Sequence, residues 1–323
     1  MKIAIIGTGI SGITIAQNLK DFATVSLFEK SRGVGGRMAL RRSGQYEFDH
    51  GAQFFTAKSE NFKKFISPLI EKNVIQQWNA RFAEFKNNKV LRRIAWNSEY
   101  PHYVGSPGMN SIPIYLSKGL DIKLNIKVDK IIRKSNNDWE LFDDNLNNLG
   151  RFDWIISTAP AVQSAEILPE CFKQRNDLLN KKMVGCFSLM LGFKAAPSLE
   201  WDAALISDAD ISWVSINSSK PGRARSFSML VHSTNAWAEN HLSDDPHSVI
   251  SYLSKETTRI IGHDTNHANH IGLHAWRYAN IGKQDKSDLL IDYDNRLAAC
   301  GDWISHGRIE SAFEAGYLMA QEF

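Results

Sequence analysis

The chain opens with a strand that runs straight into three glycines at fixed spacing, and few openings restrict a fold as strongly. Ile3-Ala4-Ile5-Ile6 is a short apolar run, as expected of a strand buried on both faces of a parallel sheet. Gly7-Thr8-Gly9-Ile10-Ser11-Gly12 follows it directly. Ile13, Ile15, Ala16 and Leu19 then recur at helical spacing, and Thr24 to Phe28 forms a second strand that ends in Glu29. This is a βαβ unit of roughly thirty residues. Within it Gly7 permits a tight turn, Gly9 lets the backbone approach a pyrophosphate, and Gly12 lets helix and strand pack closely. The helix start at Ile10 and Ser11 offers unpaired N–H groups and a positive dipole end to phosphate. Glu29 is placed to accept hydrogen bonds from a ribose. The combination specifies dinucleotide binding, but not which dinucleotide.

The next segment narrows the choice. Lys30-Ser31-Arg32-Gly33-Val34-Gly35-Gly36-Arg37 brings a second glycine pair and a fixed positive charge immediately after the ribose acid. It resembles the corresponding segment of the amine-oxidase and renalase superfamily of FAD enzymes, through Glu29, Lys30, Gly36 and Arg37. Three further segments resemble the same superfamily. Phe48-Asp49-His50-Gly51-Ala52-Gln53-Phe54-Phe55-Thr56 is similar to a renalase-type segment whose backbone passes the flavin ring, which implies flavin contacts at Gly51, Ala52, Gln53 and Phe54. Val128 lies where the superfamily meets the adenine through main-chain bonds. Gly301-Asp302-Trp303, with Arg308, Ile309 and Glu310 beyond it, resembles the closing FAD motif, a strand end leading to a helix N-terminus. Within the superfamily, Gly51 to Thr56, His274 to Ala279 and the Gly301-Asp302-Trp303 ending look more like renalase and its bacterial relatives than like monoamine oxidase. Cys300 does not lie where a flavin-linking cysteine is expected, so FAD is expected to be noncovalent.

The fold expected is α/β. A Rossmann-type FAD-binding domain in three pieces (residues 1–58, 106–160 and 291–323) is interrupted by an α+β substrate domain (59–105 and 161–290) built on an antiparallel sheet. Phe62, Phe65, Ile66, Leu69 and Ile70 predict a helix over about 59–72. Alternating segments at 75–78, 81–85 and 90–94 predict strands. Asp245 with Pro246 predicts a helix start, and the helix runs to about 261.

Composition sets the outer bounds. A chain of 323 residues favours two domains over one. Net charge is only +3, without the clustered basic stripe that nucleic-acid binding needs. No run approaches the ~20 apolar residues of a membrane span. The opening is a strand rather than a signal peptide. Three scattered cysteines with no CxxC pair argue against a disulfide framework or a zinc site and fit a reducing cytoplasm. Neither nucleic-acid nor membrane partners are expected.

The resemblance to renalase implies oxidation of dihydronicotinamide isomers (2- or 6-dihydro-NAD(P)), with hydride passing to flavin N5 and oxygen giving hydrogen peroxide. Such a substrate becomes aromatic on losing hydride, so the protein supplies orientation and a shaped pocket more than a strong base. Gln53, His274, Trp276, Arg277 and Tyr278 are the candidate catalytic and substrate residues. In an extended segment His274, Trp276 and Tyr278 share one face and Arg277 points to the other. A flavin amine oxidase acting on a small amine, a lipid desaturase or isomerase of the same fold, and a non-catalytic flavin module stay open as alternatives.

Overall fold

The computed structural model describes residues 1–134, 138–285 and 288–323. The chain divides into two units, residues 1–37, 113–183 and 281–323 in the first and 38–112 with 184–280 in the second.

The first unit is built on the expected βαβ. Strand β1 (Lys2–Ile6) is buried from Ile3 onward because both faces of its sheet are covered. It pairs in parallel with β2 (Thr24–Glu29) on one side and with Trp154–Ser157 on the other. Asp121–Leu124 and Leu297–Ala299 extend the parallel sheet outward, and Leu290–Asp292 closes one edge antiparallel. Helix α1 (Ile10–Leu19) and the C-terminal helix Ile309–Ala320 lie together. Their contact is close enough that a Cβ on Gly316 would sit 2.4 Å from the Ser11 carbonyl oxygen. A three-stranded antiparallel sheet of Val128–Arg133, Trp139–Asp143 and Asn148–Phe152 completes this unit.

The second unit is organised by one seven-stranded sheet. Its order is His270–Ile281, Met183–Phe193, Phe227–Ser233, Ile211–Ile216, Ala203–Ser207, Arg81–Lys86 and Lys89–Ala95. Alternation divides it into two faces. Phe187, Leu189, Leu191, Ala204, Ile206, Val214, Met229 and Val231 form a dry core under the helices Asn235–His241 and Pro246–Ile261. The other face carries Ser188, Met190, Leu230, His232, Trp213, Ser215, Phe82 and Glu84, tied together by register. Its polar and aromatic character makes it the candidate functional face. The sheet is antiparallel as expected at the seams given by these registers, except where Ala203–Ser207 meets Arg81–Lys86 in parallel. Those two strands come from different sequence pieces, so no hairpin fixes their sense.

The helices predicted at 59–72 and 246–261 are present as Glu60–Glu71 and Pro246–Ile261, capped by Ser59 and Asp245. The unit boundaries differ from the sequence expectation. Residues 38–58 lie in the second unit, because Tyr46 and Phe48 of the hairpin Leu40–Ser43/Tyr46–Asp49 pack on Met190 and Leu230. Residues 106–112 go with them, Met109 N–H donating to Asp49. Residues 161–183 belong to the first unit, where Ser164 meets Ser157 and the Lys173 N–H donates to Asp292. Residues 281–290 do so too, through Gln284 N–H to the Ser305 carbonyl. Among the described residues no helix is long and apolar enough to cross a membrane.

Candidate functional site

In the first unit the glycine loop is shaped from within. Gly7 has φ +105°, and a Cβ on Gly12 would lie 2.2 Å from the Gly7 carbonyl oxygen. Those two glycines serve the turn and the packing of helix on strand. Gly9 is different: a Cβ there would meet nothing among the described residues within 4 Å. It precedes α1 as its cap residue, with no side chain on the helix N-terminus. The open space before unpaired N–H groups suits a diphosphate.

Glu29 lies at the end of β2, 7% exposed. It accepts from Thr8 N–H at 3.1 Å, Thr8 Oγ1 at 2.8 Å and Ser31 N–H at 2.8 Å. A carboxylate has about four acceptor positions, so one is left for a ribose hydroxyl. The turn before Val128 is fastened to the same place, Ile126 N–H donating to the Glu29 carbonyl at 2.9 Å. Gly35 N–H donates to the Thr8 carbonyl, and a Cβ on Gly36 would have only Gly9 Cα within 4 Å, at 3.8 Å. The second glycine segment therefore folds back over the first.

Arg37 is committed to Asp302 by two hydrogen bonds. Its guanidinium fastens the closing motif to the glycine loops. Ser11 spends its hydroxyl on the Ala312 carbonyl at 2.7 Å. Arg308 caps the C-terminal helix through its backbone position, and Ile309 and Glu310 open it. Lys30 is exposed and reaches Gln163. Ile10 is buried as the first residue of α1.

Gly51, Ala52, Gln53 and Phe54 lie in the second unit with His274, Trp276, Arg277 and Tyr278. The loop they form is anchored by a buried ion cluster. Asp49 Oδ2 lies 2.6 Å from Arg223 Nη2 and 3.2 Å from Lys220 Nζ, all three side chains at most 1% exposed. Burial opposes the Asp49 carboxylate, but the Lys220 and Arg223 charges and the Met109 N–H outweigh it and hold the carboxyl below its ordinary range. Burial pushes the Lys220 ammonium down to about 8 despite Asp49.

Gln53 is spent on this anchor. Its amide nitrogen donates to the carbonyls of Asp49 and Gly51, and its oxygen accepts from Ser215 and Lys220. All four valences are used. Its side chain clamps the loop.

The neighbouring carbonyl of His50 is held as firmly, by Ser188 Oγ at 2.6 Å, Trp276 Nε1 at 2.8 Å and the His232 ring. The His50 ring stacks on Trp276, with centroids 5.2 Å apart, and meets the His274 edge at 4.9 Å. His274 also meets Trp276, at 4.3 Å. Burial lowers the imidazole pKa of all three histidines, of His50 and His232 to about 4. The predicted pair His274 and Trp276 is thus brought together on one face, half-buried with Tyr278, and Arg277 is exposed on the other. Sequence reasoning missed Lys220 and Arg223, whose signal was a Lys-Pro-Gly-Arg turn with no partner in view. It also gave no role to the His50 ring, although His50 sits inside the quoted segment.

A family profile described as flavin containing amine oxidoreductase matches residues 77–322, and one for an NAD(P)-binding Rossmann-like domain matches residues 5–69. The chain belongs to the flavin-containing amine oxidoreductase family. A solved protein provisionally named a protoporphyrinogen oxidase, from Exiguobacterium sp. 255-15, has TM-score 0.79 at 10% identity, covering 99% of this chain and 98% of that one. A putrescine oxidase bound to putrescine has TM-score 0.71 at 11% identity, covering 100% and 99%. At these identities the likeness is one of fold. A 4,4'-diapophytoene desaturase from Staphylococcus aureus (strain Newman) is 34% identical over 77 residues, 20% of this chain. The chain spans only 15% of that relative's length.

Proposed function

We propose that this amine-oxidase-family protein is a renalase-type oxidase. On this reading it carries noncovalent FAD and converts 2- or 6-dihydro-NAD(P), with oxygen, to NAD(P)+ and hydrogen peroxide. FAD, when bound, supplies the hydride acceptor. In the first unit Gly9 and the α1 N-terminus would admit the diphosphate and Glu29 a ribose, with Arg37 and Asp302 holding the loops in place. Two of the three thiols are poorly suited to a covalent link, the third, Cys171, being exposed. Burial pushes the Cys300 thiol far up and Cys186 to about 12, so neither is a ready nucleophile.

The observation that carries the substrate reading is the charge state of the functional face in the second unit. His50, His274 and Trp276 form an uncharged ring cluster, and the Arg41 cation bears on His50, His270 and His274. The buried carboxylate of that region, Asp49, is consumed by two cations. Such surroundings disfavour an ammonium substrate and suit a neutral dihydropyridine carrying phosphate. An uncharged surround supplies no strong base, and hydride loss from an electron-rich ring requires none.

Anaerobic mixing of the yellow protein with candidate reductants tests this reading. Rapid flavin bleaching by the 2- or 6-dihydro isomers, without response to putrescine or other amines, is the expected result. Bleaching by amines alone would sink it.

A further inference from the structure

The functional face of the second unit carries an aromatic cluster that the residues above leave unused. Phe82 and Trp213 stand on the sheet itself, Trp96 just follows the edge strand Lys89–Ala95, and Phe54 and His102 come from loops. The rings form a partial column. His102 stacks on Trp96 with centroids 3.7 Å apart and planes within 3°, and Phe82 stacks on Trp96 at 5.2 Å. Phe54 tilts against Trp96, His102 and Trp213 at 5.0, 5.1 and 5.5 Å. The surrounding backbone is fixed, Trp78 N–H donating to the His102 carbonyl and Trp96 N–H to the Ala80 carbonyl. Yet all five rings remain half-buried, unlike the sealed core on the opposite face.

Two polar atoms in this cluster lack partners. Among the described residues, Trp213 Nε1 is a buried donor with no acceptor, and His102 Nδ1 is buried with no hydrogen-bond partner. Burial lowers the His102 pKa and keeps the imidazole neutral, and Nδ1 is the acceptor in the tautomer that carries its proton on Nε2. Buried polar groups left open in this way call for partners that the chain itself does not provide.

We infer that Phe54, Trp96, His102 and Trp213 form a stacking subsite for a planar heteroaromatic ring bearing a primary carboxamide. The ring stacks on the aromatic faces. The carboxamide oxygen accepts from Trp213 Nε1–H, and its NH2 donates to His102 Nδ1. Nicotinamide has this chemistry, and in naming it the inference rests on the dihydronicotinamide reading above. A carboxylate in the same position has no donor for His102 Nδ1 and sets a negative charge against its lone pair.

The test is equilibrium binding of nicotinamide and of nicotinate to the flavin-loaded protein, by calorimetry, in the wild type and two variants. Nicotinamide is expected to bind saturably and at least about tenfold more tightly than nicotinate. Trp96→Leu should weaken nicotinamide by about tenfold through lost stacking. Trp213→Phe keeps a ring, folds more safely and loses only the donor, and a severalfold weakening is expected. Equal affinity for the two probes, no saturable nicotinamide binding, or unchanged affinity in Trp213→Phe would each overturn the inference. Its failure is separable from that of the oxidase reading. Discrimination between the probes with no bleaching by the dihydro isomers would keep the subsite and remove the activity, and bleaching without discrimination would do the reverse.

Discussion

Arg37 grips Asp302 across 265 positions of sequence, Nη1 to Oδ2 at 2.9 Å and Nη2 to Oδ1 at 2.5 Å. The pair ties the glycine segment that follows the second strand to the motif that precedes the last helix. Asp302 is only 6% exposed, so removing its partner leaves a buried carboxylate without its cation. Arg37→Met is expected to destabilise the protein by about 2–4 kcal/mol. Thermal melts would show a drop of several degrees, and Arg37→Met/Asp302→Leu should recover part of it. A double variant no better than the single one would show that the pair is not what holds these segments.

Gly9 and Gly12 predict opposite phenotypes from the same motif. Among the described residues, a Cβ at Gly9 meets no protein atom within 4 Å, whereas at Gly12 it meets the Gly7 carbonyl at 2.2 Å. Gly9→Val should therefore fold with a nearly unchanged melting temperature and lose its flavin, because the added carbons occupy the diphosphate space. Gly12→Ala should lose stability first. Circular dichroism melts, together with flavin absorbance per protein after purification, separate the two. Stoichiometric FAD in Gly9→Val would disprove the placement of the diphosphate.

The buried histidines predict an acid limit to stability. His50 and His232 have folded pKa values of about 4 against an ordinary 6.5, burial being the main cause. Between those values the unfolded chain binds more protons than the folded one, so stability rises with pH there. The contribution is complete above about 6.5 and is lost progressively as pH falls through 4, amounting to at most about 3 kcal/mol for each ring. Melting temperature should fall between pH 6.5 and 4. His232→Gln, which keeps a donor for the His50 carbonyl, should flatten that slope. An unchanged slope would remove His232 from the explanation.

Local chemistry made much of this legible in the sequence. The glycine spacing, Glu29 and the Asp245-Pro246 helix start are read within a few residues of themselves, and each occurs as expected. The pairing of His274 with Trp276 followed from strand alternation alone. What the sequence hid was long-range. Nothing near Gln53 signals that Ser215 and Lys220 fill its oxygen, and nothing near Arg37 signals Asp302. The first unit gives way to the second after residue 37, where the sequence suggests 58, for the same reason, since Tyr46 and Phe48 find Met190 and Leu230 only in the folded sheet. A motif announces which residues share a site, and distant partners decide which of their polar atoms remain for a ligand.

The ion cluster under the Gln53 loop supplies an asymmetric test. Two buried cations, Lys220 and Arg223, face the single carboxylate of Asp49, which leaves one positive charge in excess. Asp49→Asn strips both cations of their counter-charge inside a dry site and should cost about 3–5 kcal/mol, or prevent folding. Lys220→Met instead leaves the Asp49–Arg223 pair balanced. It removes an ammonium that burial already disfavours, and the methionine chain keeps most of the packing under Trp78. It should cost far less than Asp49→Asn, and the difference should narrow above pH 8, where Lys220 in the parent protein begins to lose its proton. Denaturant titrations of both variants at pH 7 and 9 read this directly. Equal losses at both positions would mean that the cluster acts through its hydrogen bonds alone, with its net charge playing no part.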